Sequence, residues 1–293
     1  MIRLITYVII IFMSEAKFPK TQPPSGHEAY TFPEMLLLNS GRLEAVVNLD
    51  GAVIEELTLN TDEGTINLFF PRQEIPGDLR PRGGSHICFP VFGPSEHLDQ
   101  HGFGRDVAWV VDRHRPESIS LSLKVDDSLS AKGAEQYRGL SAELDYSIVD
   151  SEDLGDPYLN MTLAVFNEGT RPMFLIPAFH PYFALPEGLH ADQVELWPAG
   201  AERGLTFSED DLDKTVMVDN PSYTNISLRG RRIKIAHRGL PINAVWSNRP
   251  ESYICVEPTA AGPQSNNQDM GKNWLQPGEH RIYSAEFSWA INE

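Results

Sequence analysis

Apolar and polar residues alternate along much of the chain with a period of two, which is the pattern of β-strands that bury one face. Residues 43–47 and 53–59 alternate on either side of a turn whose Asp50-Gly51 pair suits a positive φ. No long segment has the 3.6-residue apolar spacing of an amphipathic helix. The same alternation predicts strands at residues 119–125, 142–149, 159–166, 226–235 and 281–289.

Many short strands separated by turns predict an all-β fold, a large antiparallel sandwich or a barrel with little helix. The 293 residues include 22 glycines and 22 prolines, which suits a chain with many turns. No linker or low-complexity tract divides residues 28–293, so we expect one domain there. Residues 83–94 (GGSHICFPVFGP) are apolar but irregular, and they predict a packed loop near a site rather than a ladder strand.

Residues 1–27 are expected to lie outside this domain, as an apolar start followed by a proline-rich arm. Residues 1–13 are too short to span a bilayer comfortably, which takes about 20 residues. They fit either a secretory signal or an upstream extension of a chain that starts at Met13. We favour the second interpretation, which predicts a cytoplasmic protein, with secretion as the alternative.

The net charge of −17 argues against nucleic acid and anionic membranes as partners, because an acidic surface repels both. Cys88 and Cys255 lie in apolar stretches and are predicted to be buried, reduced thiols. The cysteines have no metal-ligand spacing, and the histidines lack the close spacing of many metal sites. We therefore expect no metal.

Three short segments place ionisable residues among apolar ones: residues 100–105, 179–183 and 254–258. Burial raises the pKa of a carboxyl group and lowers that of an imidazole, which brings both toward neutrality and suits acid–base catalysis. Glu257 ends an apolar run, so it is a candidate catalytic group. The alternatives are an ion pair with Arg82 or Arg105, or a strand position that faces solvent.

His180 and His101 each have a structural interpretation beside the functional one. His180 precedes a proline, which holds it extended, and the following Tyr182 and Phe183 are expected to wall a pocket. The alternative for His180 is a core histidine bonded to a carbonyl group. The alternative for His101, which precedes a glycine, is a turn histidine at the surface.

Two arginines lie in the most loop-like segments of the sequence. Arg82 precedes a glycine pair and Arg105 follows the His101 turn. Planar guanidinium groups hold hydroxyl or phosphate oxygens in a fixed geometry, so the pair is a candidate anion site. The alternative is two surface ion pairs, each worth about 0–1 kcal/mol.

The order of these segments resembles that of the aldose 1-epimerase (galactose mutarotase) superfamily, most closely its hexose-6-phosphate branch. The resemblance covers the chain from about Leu43 to the C-terminus. It rests on residues 82–84 (RGG), 88–94 (CFPVFGP), 100–105 (QHGFGR), Trp109, 163–169 (LAVFNEG), 179–183 (FHPYF) and 255–258 (CVEP).

The resemblance implies a two-sheet β-sandwich that binds a sugar or sugar phosphate and interconverts its anomers without a cofactor. Glu257 would be the base that takes the anomeric proton, and His180 the acid that protonates the ring oxygen. His101 would bind near the ring oxygen, while Arg82, Gln100 and Arg105 would contact substrate or phosphate. We expect a monomer or weak dimer.

The sequence also departs from the hexose-6-phosphate pattern. The segment between His180 and Glu257 is short, and the aspartate that binds a sugar hydroxyl in that branch has no clear counterpart among Asp192, Asp210, Asp211 and Asp213. Residues 259–268 look more like generic aldose 1-epimerases. The phosphate preference therefore stays open, and a non-catalytic carbohydrate-binding protein on the same fold is the alternative function.

Overall fold

Two antiparallel sheets form the fold, as expected from the alternating sequence. The computed structural model describes residues 34–151, 153, 155–262 and 270–291. The predictions for residues 1–27 and for most of the glycine- and asparagine-rich run that ends at residue 268 lie outside the described residues.

The first sheet has the order β1-β2-β3-β5-β11-β17-β16-β13, with β4 paired to β3. Its strands are β1 Met35–Ser40, β2 Leu43–Asn48, β3 Val53–Thr61, β4 Gly64–Asn67, β5 Ser85–Cys88, β11 Ala178–Ala184, β13 Val216–Asp219, β16 Ile242–Trp246 and β17 Tyr253–Thr259.

The second sheet has the order β12-β14-β15-β19-β9-β8-β7-β6. Its strands are β6 Val110–Arg115, β7 Ser118–Val125, β8 Leu140–Val149, β9 Tyr158–Asn167, β12 Glu195–Pro198, β14 Tyr223–Leu228, β15 Arg231–Arg238 and β19 His280–Ile291. A small pair joins β10 Met173–Phe174 to β18 Trp274–Leu275. Within the described residues, the α-helical structure is the single turn α1 Glu209–Leu212.

The inner faces of the two sheets form the hydrophobic core. Phe69 and Phe183, on the side of the first sheet, pack on Phe287 of β19. Their ring centroids lie 6.4 and 5.9 Å from that of Phe287. Tyr146 of β8 donates its hydroxyl hydrogen to the Ala52 carbonyl oxygen across the sandwich, at 2.7 Å. The strands β2, β7, β8 and β9 alternate buried and less buried residues, as their sequence predicts.

Residues 226–235 were predicted as one strand, and this is wrong. They form a hairpin of β14 and β15, with Leu228 paired to Arg231 across a turn that contains Gly230 at φ 71°. The buried apolar positions are even-numbered before the turn (Ile226) and odd-numbered after it (Ile233). Because a strand keeps its side-chain parity, this change marks the turn.

The prediction of a loop at residues 83–94 is partly wrong. Ser85–Cys88 is β5, a central strand between β3 and β11, and all four of its residues are buried. A strand buried on both faces shows no polar alternation, which explains why the sequence looked irregular. Cys88 and Cys255 are buried and not bonded to each other, as predicted.

Candidate active site

Three adjacent central strands place three ionisable residues in one row. His86 of β5 pairs with His180 of β11. The pairs Ala178–Thr259 and Tyr182–Cys255 join β11 to β17 in the same register, which sets His180 opposite Glu257. Residues directly opposite on antiparallel strands share a face, and here it is the outer face of the first sheet.

His180 and Glu257 form a buried acid–base pair at the centre of this row. Their Nε2 and Oε2 atoms are 3.3 Å apart. His180 is 5% exposed and Glu257 is 2% exposed. Each precedes a proline, which has no backbone N–H to donate to a neighbouring strand. Because Nε2 and Oε2 are so close, one small ligand can contact both of the residues that the sequence predicted as catalytic.

A cavity of about 380 Å³ opens above this pair. Five of its lining residues, besides His180 and Glu257, are polar or basic groups that could hold sugar hydroxyls or a phosphate: Arg82, Gln100, His101, Lys214 and Thr215. The remaining lining comes from Phe92, Gly93, Pro94, Met217 and Trp246. The described lining contains no aspartate, so none of the four candidates Asp192, Asp210, Asp211 and Asp213 lies there.

His101 lies in the cavity wall rather than on the surface, so the turn interpretation holds only for its backbone. Its φ is 69°, in the left-handed region, and the side chain is 8% exposed. The Gly93 N–H donates to His101 Nδ1 at 3.2 Å, so the ring hydrogen of the neutral form lies on Nε2. Burial, with the nearby charge of Arg105, lowers the His101 pKa to about 3, and the ring stays a neutral donor.

The His180 ring packs among other aromatic rings. It stacks on His86 with centroids 4.4 Å apart and on Tyr182 at 4.8 Å, and it meets His101 edge-on at 5.4 Å. Burial lowers the pKa of His180 well below its ordinary value, and the charge of Arg105 adds to this shift. The imidazole is therefore neutral in the free protein and becomes a strong acid when it takes a proton.

Glu257 shows the opposite shift. Burial raises its pKa well above the ordinary carboxyl value, and the charge of Arg105 opposes this only in part. Among the described residues, Glu257 makes no ion pair with Arg82 or Arg105, and it does not face solvent. Neither structural alternative for Glu257 holds, and its partner is His180.

Arg82 lines the cavity and is held in place from two sides. Its Nε donates to Asp78 Oδ2 at 3.0 Å, and its guanidinium carbon lies 5.2 Å from the ring centre of Trp246. Lys214, two residues after α1, lines the same cavity. Lys214 was not predicted, because nothing around it in the sequence distinguishes it from a surface lysine.

Arg105 does not line the cavity. It lies behind the wall, where Nη1 donates to His86 Nε2 at 3.0 Å and Nη2 donates to the Gln100 carbonyl oxygen at 2.7 Å. The structure thus brings Arg82, Gln100 and His101 to the cavity and leaves Arg105 outside its lining. His86 was also missed, since its importance depends on the pairing of strands more than 90 residues apart.

The aromatic residues after His180 divide between the two faces of β11. Tyr182 lies two residues away on the site face, where it contacts His180 and Tyr253 but does not line the cavity, so it supports the site from behind. Phe183 lies on the core face against Phe69 and Phe287, so the prediction that it walls the pocket is wrong. Adjacent residues of a strand point to opposite sides, which is the physical reason.

Two groups of side chains bring donor atoms of metal-ligand type within 4.8 Å of one another in the described chain. The first is His180, Cys255 and Glu257, but burial raises the pKa of the Cys255 thiol, and a protonated thiol is a poor ligand. The second is His190, Asp192 and Glu209, which lies outside the cavity lining.

No helix in the described part of the chain is long and apolar enough to cross a membrane.

A plant protein from Cenchrus ciliaris named "Putative glucose-6-phosphate 1-epimerase" is 26% identical over 215 residues, which are 61% of this chain and 64% of that protein. The match thus spans less than two thirds of the plant relative.

Solved structures share the fold at low identity. A galactose mutarotase related enzyme from Lactobacillus acidophilus has a TM-score of 0.67 and 16% identity, covering 89% of this chain and 99% of its own. An Escherichia coli K12 protein described as a putative aldose 1-epimerase has a TM-score of 0.64 and 16% identity, covering 88% and 99%. Residues 34–287 match the family profile described as aldose 1-epimerase, which covers most of the chain. The chain therefore belongs to the aldose 1-epimerase family.

Proposed function

We propose that this protein interconverts the α and β anomers of an aldose or an aldose 6-phosphate. The observation that carries the proposal is the buried His180–Glu257 pair, 3.3 Å apart, at the floor of a polar cavity. Opening a cyclic hemiacetal needs one base and one acid, and both must reach oxygens that share a single carbon. A base and an acid in direct contact meet that requirement.

In the proposed reaction, Glu257 takes the proton of the anomeric hydroxyl while His180 donates a proton to the ring oxygen. The bond between the anomeric carbon and the ring oxygen breaks, and an open-chain aldehyde forms. The aldehyde end rotates, the ring hydroxyl attacks its other face, and both protons return by the reverse path. One proton enters the sugar and one leaves it in each direction, so the pair ends as it began.

The electrostatics of the site support this cycle. Before opening, the pair must hold a carboxylate and an imidazolium, and after opening it holds a carboxylic acid and a neutral imidazole. Burial raises the Glu257 pKa and lowers the His180 pKa, so the site favours the uncharged pair that follows ring opening. This preference favours the proton transfers that break the ring bond, and it opposes the rise in energy as the open-chain aldehyde forms.

The remaining cavity residues are suited to substrate recognition. The Nε2–H of His101, 3.3 Å from the side-chain amide nitrogen of Gln100, is a donor for a sugar oxygen, and Trp246 adds an aromatic surface to the lining. Arg82 and Lys214 supply positive charge in a protein of net charge −17. With the name of the plant relative, these two cations support a phosphorylated substrate.

Anomer exchange measured by NMR at neutral pH tests the proposal, with glucose, galactose and glucose 6-phosphate compared with and without protein. Faster exchange of the phosphosugar alone would support the reaction together with a phosphate contact. Faster exchange of the free sugars would support the reaction and leave Arg82 to bind hydroxyl groups. Sugar binding without faster exchange of any of them would favour the non-catalytic alternative.

A further inference from the structure

His86 is a buried imidazole that the reaction does not use. It is 4% exposed, it lies directly across the strand pair from His180, and the two rings stack at 4.4 Å with planes inclined by 27°. A phenylalanine could stack there without placing a second basic ring beside the catalytic acid. The presence of histidine there needs a reason.

Arg105 fixes the protonation of His86. Its Nη1 donates to His86 Nε2 at 3.0 Å, and arginine does not give up its proton in proteins. His86 Nε2 must then be the acceptor, so the ring hydrogen lies on Nδ1, a buried atom with no hydrogen-bond partner among the described residues. The only basic nitrogen of His86 is thereby occupied.

His101 has the same arrangement on the other side of His180. The Gly93 N–H donates to His101 Nδ1, which uses the basic nitrogen of that ring. His180 differs from both neighbours, because its Nε2 faces Glu257 and its Nδ1 has no hydrogen-bond partner among the described residues. Of the three clustered imidazoles, only His180 has a basic nitrogen that no protein donor occupies.

We propose that Arg105 and His86 are positioning residues that direct the catalytic proton to His180 and hold its ring against Glu257. Like charges at stacking distance repel strongly in a buried site, so the cluster holds at most one extra proton. A proton on His86 would face Arg105 and lie away from Glu257, where it cannot reach a sugar. The inference rests on the proposed function.

The other charged or titratable neighbours of His180 are less suited to this role. Arg82 adds positive potential from the cavity, His101 is neutral with its basic nitrogen already occupied, and Glu257 is the proton partner on β17. Burial keeps the hydroxyl of Tyr182 and the thiol of Cys255 protonated, since their pKa values are raised well above the ordinary ones. Tyr182 also stacks on His180 and is hydrogen-bonded to Arg82, but it has no basic nitrogen, so His86 is the stacked ring that could compete for the catalytic proton.

Replacing Arg105 by methionine tests the inference, because it frees His86 Nε2 to take the proton. We expect kcat to fall by about tenfold or more, as when a partner that orients a functional histidine is lost, with little change in KM. Adding His86→Phe to Arg105→Met removes the competing nitrogen and should restore much of kcat. Arg80→Met, which removes a more exposed arginine that pairs with Asp106, is the matched control and should leave kcat unchanged.

A double variant no more active than Arg105→Met would overturn the inference, because a purely structural loss would not be rescued by a second change. The unmodified protein supplies an independent measurement through the ring ¹⁵N shifts during a pH titration. His180 should gain its proton at higher pH than His86, and the reverse order would also overturn the inference. An inactive unmodified protein would count against the proposed function alone, since the titration needs no turnover.

Discussion

The central strands β5, β11 and β17 have two buried faces that differ in chemistry. The core face is apolar and packs against the aromatic residues of the second sheet, as Phe183 does. The site face carries ionisable groups, and several of its buried polar atoms have no hydrogen-bond partner in the described structure: His86 Nδ1, His180 Nδ1, Glu257 Oε2 and the nearby Arg105 Nε.

The difference shows that burial has opposite consequences on the two faces. On the core face it removes apolar surface from water and stabilises the fold. On the site face it leaves polar atoms unsatisfied, each at about 1–3 kcal/mol, and shifts pKa values in the direction that the proposed acid–base reaction needs. Substitutions on the two faces should therefore separate stability from activity.

The largest expected effect is on activity, from Glu257→Gln on the site face. An amide cannot take the anomeric proton, so we expect kcat to fall by about 10²- to 10⁴-fold. Sugar binding, measured by calorimetry, should change little because the amide has nearly the same shape. Glu251→Gln, in an exposed turn, is the control, and turnover like that of the unmodified protein in Glu257→Gln would refute the assignment.

The core face should respond in the opposite way. Phe183→Ala is expected to lower the free energy of unfolding by about 3–5 kcal/mol, since Phe183 is fully buried against Phe69 and Phe287. Urea unfolding measures this loss. The KM of the protein that remains folded should stay nearly constant, and Phe183→Leu should lose less stability. A change in KM with unchanged stability would mean that Phe183 belongs functionally to the site.

Glu257→Gln should also stabilise the protein, and increasingly so as the pH rises. Burial raises the folded-state pKa of Glu257. The destabilisation of the fold by this carboxyl group is therefore absent below the ordinary carboxyl pKa of 4.5, and it grows as the pH approaches the raised value. At high pH we expect a gain of about 1–3 kcal/mol over the unmodified protein. Glu143→Gln, exposed on β8, should show no such trend. A gain independent of pH would argue against a buried titrating carboxyl group.

The two-faced strands also explain which features could be predicted from the sequence. Strands with one solvent-facing side, such as β7 and β9, alternate and were found. β5 is buried on both sides, so its sequence has no alternation to read. Along β11, the same two-sided burial led to Phe183 being assigned to the wrong face.

The site could be predicted in part for a related reason. His180, Glu257 and His101 stand out because each is an ionisable residue in an apolar segment. His86 does too, but its relation to His180 depends on the β5–β11 register, which sequence separation hides. Lys214 has no local signal at all, because it reaches the cavity only through the path of the chain after α1.

The smallest expected effect is on substrate choice, from Lys214→Met. Lys214 forms no ion pair with another described residue, so losing its charge should cost the fold little. If it contacts a phosphate, KM for glucose 6-phosphate should rise by about tenfold, equivalent to about 1.4 kcal/mol, while KM for glucose stays constant. Lys132→Met, which removes an exposed lysine paired with Asp99 away from the cavity, is the control. Arg105→Met should instead lower kcat for both sugars alike, because Arg105 acts behind the cavity wall. Equal KM changes for the two sugars in Lys214→Met would show that this lysine does not select for phosphate, and the positive charge of the cavity would then rest on Arg82.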